Sequence, residues 1–78
     1  MISGQQIKAA RALLEWTQPA LAAAAGLSVP TIVRMESALG PSRSVAGNVE
    51  AVKRALEDAG VIFLDADDQS GFGVRLKR

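Results

Sequence analysis

The run Asp65-Ala66-Asp67-Asp68-Gln69-Ser70-Gly71 is the stretch of this chain whose residue types come nearest to metal chemistry. A calcium loop of this kind needs a glycine at its sixth position and a glutamate at its twelfth. Here the glycine stands one position late and the twelfth residue is Leu76, so the run reads as the turn of a hairpin. Gly71-Phe72-Gly73 is a lone Gly-x-Gly with no helix after it and carries no weight as a phosphate cradle. The chain contains no cysteine and no histidine, which removes disulfides, thiolate and imidazole metal sites, and the common nucleophile-base pairs. No catalytic group, metal or cofactor is expected. The distinctive chemistry left is that of basic and hydroxyl side chains, and it depends on where the chain places them.

Net charge is only +1, but it is unevenly spread. Residues 1–54 carry +3, residues 55–72 carry five acids and no base, and the last six residues carry +3 again. A positive N-terminal part and an acidic segment behind it form the polarity that docking onto a phosphate backbone requires. The plain alternative is that these are solvated faces. Seventy-eight residues make one domain, and an apolar fraction of 49% argues against disorder. The N-terminus lacks a basic stretch followed by an apolar core, and the longest apolar run, Pro19 to Leu27, is nine residues where a membrane span needs about twenty. The expectation is a soluble cytoplasmic protein without a membrane partner.

The elements that position these side chains are announced by a repeated device. Ile2-Ser3 with Ile7, Trp16-Thr17 with Leu21, and Leu27-Ser28 with Ile32 each place an apolar residue before a hydroxyl cap and another four residues after it. These are helix N-caps with a hydrophobic staple, and Ser3 with Gln6 also has capping-box spacing. Three helices are thus predicted to begin near residues 4, 18 and 29. Pro19 and Pro30 have no N–H to offer, so Thr17 and Ser28 must cap Ala20 and Thr31. The first helix is expected over about Gly4 to Leu14, the second over Gln18 to Ala25, and the third from Val29 to about Leu39, stopped by Gly40-Pro41. Ser42-Arg43-Ser44 reads as a short loop. A fourth helix carries the stripe Val45, Val49, Val52, Leu56 and Ala59 and closes at Gly60. Beyond it, Val61 to Leu64 and Gly73 to Lys77 have strand patterning around the polar turn, which predicts a β-hairpin.

Within residues 17–36 the spacing is specific. Leu21, Ala25, Ile32 and Met35 point to one core, Ala22 is small where two helices would cross, and Gly26 supplies the positive φ that ends the first of the pair. With Gln18, Leu21-Ala22, Gly26 and Met35-Glu36 in register, this stretch resembles the helix-turn-helix of the Xre/Cro-type, lambda-repressor-like bacterial and phage regulators. The expected fold class is mainly α: a four-helix domain over residues 1–60, followed by a C-terminal β-hairpin over residues 61–78 that belongs to the same domain.

The resemblance implies double-stranded DNA as the partner, with the third helix in the major groove and Val29, Pro30, Thr31, Val33 and Arg34 facing base edges. Arg34 is the side chain able to contact guanine bidentately, whereas Val29 and Pro30 offer apolar contact to thymine methyls. Polar residues are common in the family at the latter two positions. By the same resemblance, Thr17, Gln18, Ser28, Ser42, Arg43 and Ser44 fall where phosphate contacts are made, and Arg11 with Glu36 where a partly buried structural ion pair forms. The implied function is a transcription regulator, a repressor binding a palindromic site as a homodimer and associated with the nucleoid when bound. A lone two-stranded hairpin is marginal in water, so Val61, Ile62, Phe63, Leu64, Val74 and Leu76 are candidates for dimerisation; the alternative is a hairpin folded wholly on its own monomer. A different class of function keeps the fold but makes the chain an antitoxin or anti-activator that binds another regulatory protein through its C-terminal region.

Overall fold

The computed structural model describes residues 2–37 and 40–77, and of Ser42 and Arg43 the backbone alone. Helix α1 spans Gly4–Leu14, α2 Gln18–Ala25, α3 Val29–Glu36 and α4 Ala46–Asp58; strands β1, Val61–Leu64, and β2, Gly73–Leu76, follow. The three stapled caps start their helices where expected. Ser3 and Gln6 close a reciprocal capping box, with Ser3 Oγ accepting from the Gln6 N–H at 3.0 Å and Gln6 Oε1 accepting from the Ser3 N–H at 2.8 Å. Thr17 Oγ1 accepts from Ala20 N–H at 3.2 Å and Ser28 Oγ from Thr31 N–H at 3.3 Å, each reaching past the proline that has no proton to give. Gly26 ends α2 at φ 70°, and Glu15 ends α1 in the same left-handed region at φ 57°. In both turns the next residue, Trp16 or Leu27, returns its N–H to a carbonyl five residues back and leans its side chain on the core.

Two boundaries depart from expectation. Helix α3 stops at Glu36 because Ser37 turns extended and directs both its N–H, at 3.2 Å, and its hydroxyl, at 2.6 Å, to the Arg34 carbonyl. That competing bond caps the helix before Leu39, which lies outside the described residues. Gly40, at φ 65°, instead opens a 3-10 turn over Gly40–Arg43. Val45 is not on the buried stripe of α4: it sits at the N-cap, 70% exposed, and has no polar side-chain atom with which to hold the helix start. Val49, Val52 and Leu56 keep the stripe and are buried.

One core joins all the elements: Ile7, Leu21, Ile32, Met35, Val52 and Leu56 are fully enclosed, and Val61 brings β1 into the same cluster. Helix α1 approaches α3 so closely that a Cβ on Gly4 would lie 2.6 Å from the Met35 carbonyl oxygen. Only glycine fits there.

The strands pair antiparallel with Val61 opposite Leu76 and Leu64 opposite Gly73. Side chains alternate across this ladder, so Val61, Phe63, Val74 and Leu76 share the face turned onto the core, while Ile62, Leu64 and Arg75 share the other. Four of the six side chains named as dimerisation candidates are therefore packed within their own monomer. Val61 is buried there, and Phe63, Val74 and Leu76 are half-buried. Ile62 and Leu64 remain on the outward face. Gln6 fastens the hairpin from below: its Nε2 donates to the carbonyls of Leu64, at 3.2 Å, and Gly73, at 3.0 Å.

Candidate nucleic-acid interface

Helices α2 and α3 meet through Leu21, Ala22, Ile32 and Met35, and this packing turns the opposite side of α3 to solvent. Pro30, Val33 and Arg34 are exposed, Val33 to 46%. Val29, the first residue of α3, is half-buried and packs against the core. Thr31 is also half-buried, and its hydroxyl links two neighbours: 2.8 Å from Ser28 Oγ, and accepting from Arg34 Nη2 at 3.4 Å. Three of the five candidate base-reading side chains thus stand free, with Thr31 beside Arg34 at the root of the exposed face.

The back of α3 is anchored by charge. Arg11 on α1 donates through Nε to Glu36 Oε2 at 2.7 Å and through Nη2 to Glu36 Oε1 at 2.9 Å, a fork-on-fork pair. The Glu36 side chain is 2% exposed and that of Arg11 20%. Arg11 Nη1 also donates to the Trp16 carbonyl at 2.9 Å, and Gln18 Nε2 donates to Glu36 Oε1 at 3.1 Å. The hydrogen bonds that Glu36 accepts raise the guanidinium pKa above its already high ordinary value, against a smaller opposing effect of burial. No buried side-chain nitrogen or oxygen among the described residues lacks a partner. One carboxylate thereby ties α1, α2 and α3 together, which a charge in a low-dielectric site does only when its oxygens are fully bonded.

Placement of the six candidate phosphate contacts differs residue by residue. Thr17 and Ser28 are exposed at the starts of α2 and α3, with their hydroxyls engaged as caps. Gln18 is half-buried and its amide nitrogen is committed to Glu36, which leaves the amide oxygen and the backbone N–H of the helix start. Ser44 is half-buried in the bend ahead of α4. The side chains of Ser42 and Arg43 lie outside the described residues. The bond from Gln18 to Glu36 was not legible in the sequence, where Gln18 was assigned only to phosphate contact.

Elsewhere, Asp67 Oδ1 accepts from the N–H groups of Gln69, at 2.8 Å, and Ser70, at 2.7 Å, and these two bonds lower its pKa from its ordinary value. The acidic run is a side-chain-capped turn, and among the described residues no three His, Cys, Asp or Glu side chains gather to hold a metal. No helix among the described residues is long and apolar enough to cross a membrane.

A family model for the helix-turn-helix matches residues 7–52, from the first turns of α1 to the middle of α4. No curated protein matches the chain. Because that match covers more than half of the sequence and includes both helices of the pair and the helix carrying Arg11, the chain belongs to the Xre/lambda-repressor-like helix-turn-helix family of DNA-binding regulators.

Proposed function

We propose that this chain is a sequence-specific transcription repressor that binds a palindromic operator as a homodimer, with α3 in the major groove and half-sites about 34 Å apart. The observation that carries this reading is the division of α3 into two sides. Pro30, Val33 and Arg34 face solvent while Ile32, Met35 and Glu36 are buried behind them and clamped by Arg11. A groove-reading helix needs such a rigid back, because base contacts discriminate only when the side chains arrive in fixed positions.

Arg34 reads guanine O6 and N7, worth about 1–3 kcal/mol of discrimination. Thr31 holds its guanidinium from the preceding turn. Pro30 and Val33, with the exposed edge of Val29, touch thymine methyls. Thr17, Gln18 and Ser28 present the amide-rich starts of α2 and α3 to the phosphates, aided by Ser42, Arg43 and Ser44 ahead of α4. With so few hydrogen-bonding readers, the shape of the DNA contributes a large share of specificity.

Selection of bound sequences from a random DNA pool, run with the wild-type chain and with Arg34→Ala at two salt concentrations, tests the reading. The wild type enriches a palindrome, and the variant relaxes choice at one base per half-site without abolishing binding. A second reading, in which the chain binds another regulatory protein, draws on Leu64 and Phe72, exposed to 39% and 48% on the hairpin. Failure to enrich any sequence, together with co-purification of a protein at fixed stoichiometry, would replace the first reading with the second.

A further inference from the structure

We infer that a second copy of the chain docks along the free edge of β2, antiparallel and centred on Val74, so that two hairpins become one four-stranded sheet. This rests on the homodimer reading above and says which surface makes the dimer and in what register.

The edge is identified by the ladder. Lys77 N–H donates to the Gly60 carbonyl at 2.9 Å, so the pair Gly60–Lys77 is of the hydrogen-bonded type. Alternation then makes Ile62–Arg75 and Leu64–Gly73 bonded pairs and turns the backbone groups of Val74 and Leu76 outward from β2. No hydrogen bond within the chain, among the described residues, takes those outward groups. A row of unpaired N–H and C=O groups is a template for another strand. Beside this edge runs a groove of about 250 Å³ bordered by Gln5, Ala9, Phe72 and Val74. Phe72 stands 48% exposed at its rim, and Leu13, one turn beyond Ala9 on α1, is 43% exposed.

Charge selects the occupant and the edge. Antiparallel pairing of β2 with its own copy brings Arg75 and Lys77 of one chain toward the Asp65, Asp67 and Asp68 turn of the other, base against acid at both ends. Pairing through β1 does the reverse, since it carries the acidic turn of one copy toward Glu57 and Asp58 of the other. The register follows from the same rule. Centring on Arg75 would set two arginines directly opposite, which is destabilising. Centring on Val74 sets Val74 against Val74, Phe72 against Leu76 and Arg75 against Gly73, so the exposed aromatic ring is covered and no like charges stand directly opposite.

The absence of cysteine makes this testable by disulfide formation. Gly73 has open space where a Cβ would stand and Arg75 is exposed, so Gly73→Cys and Arg75→Cys leave the monomer intact. In the inferred register these two positions face each other across a non-hydrogen-bonded pair, within disulfide reach, whereas each is too far from its own copy. Mixed Gly73→Cys and Arg75→Cys chains are expected to cross-link several-fold more than either alone, and Phe72→Lys to shift sedimentation toward the monomer. Preferential cross-linking of Arg75→Cys with itself, or of Ile62→Cys with itself, overturns the register or the edge while the homodimer stands. A wild-type chain that sediments as a monomer at micromolar concentration overturns both this inference and the homodimer reading, and the DNA selection then decides separately whether the chain reads sequence.

Discussion

Helices α1 to α3 and the hairpin are secured by different kinds of contact. Each of the three helices opens on a hydroxyl that caps an amide three residues ahead, and α1 and α2 close on a left-handed residue followed by an apolar side chain. Every one of those locks lies within six residues of chain. The hairpin has one local side-chain lock among the described residues, the Asp67 turn, and is otherwise held from a distance, by the packing of Val61, Phe63, Val74 and Leu76 on the core and by Gln6, whose amide reaches across 58 and 67 residues of sequence to two strand carbonyls. Local locks stabilise a helix wherever it goes; long-range ones exist only once the core has formed. The difference teaches that the DNA-facing pair is built to be rigid before anything binds, while the hairpin takes its geometry from the assembled monomer.

The sharpest way to break that contrast is Glu36→Ala. It leaves the Arg11 guanidinium facing an empty, largely enclosed site, and loss of one partner of such a pair costs about 3–5 kcal/mol. Denaturant unfolding should register most of it. An unchanged midpoint would mean that local caps alone hold the three helices. Next in size is Gly4→Ala, where the added methyl meets backbone that cannot swing aside, at an expected cost of about 1–3 kcal/mol by overpacking. Its midpoint should fall even though alanine is the better helix former, which separates tertiary fit from propensity.

Gln6→Ala tests the other side of the comparison. The Ser3 N–H loses its acceptor and both strand carbonyls lose the amide donor, for about 1–2 kcal/mol. Hydrogen exchange should rise in β1, β2 and the first turn of α1, and stay unchanged in α2 and α3. Uniform acceleration would show that hairpin and helices open as one unit. The smallest effect is pH-dependent. The folded-state pKa of Asp67 is lowered from 3.8, so its contribution is present above that value and fades as pH falls through the lower folded one. Amide resonances of Gln69 and Ser70 should shift in that acidic window while those of α2 and α3 hold still.

Much of the fold was legible because its signals are short-range. The caps at Ser3, Thr17 and Ser28, the detour past Pro19 and Pro30, and the left-handed Gly26 all follow from single side chains acting on neighbouring backbone. Glu15 was not legible, since a non-glycine left-handed residue is stabilised by the turn it sits in rather than by its own type. The end of α3 was misplaced because Gly40-Pro41 is a stronger stop signal than a serine. Ser37 won by bonding the Arg34 carbonyl twice, a competition between hydrogen bonds that patterning does not weigh.

The candidate site divides in the same way. Arg34, Pro30 and Val33 could be placed outside from helical period alone, but whether Val29 faced solvent depended on how α3 rolls against α2. For the hairpin, alternation of apolar residues specifies two faces without saying which one is covered.

By itself, then, the sequence determined the number of α-helices, where the first three begin, the helix-turn-helix spacing and the existence of a hairpin, because caps, turns and periodicity act over a few residues. Only the tertiary structure decided that Gly4 must admit the α3 backbone, that Gln6 ties α1 to the strands, that Gln18 joins Arg11 at Glu36, and that Val61, Phe63, Val74 and Leu76 turn inward. Those outcomes depend on distances between segments far apart in the chain, and such distances are set by packing the whole core at once.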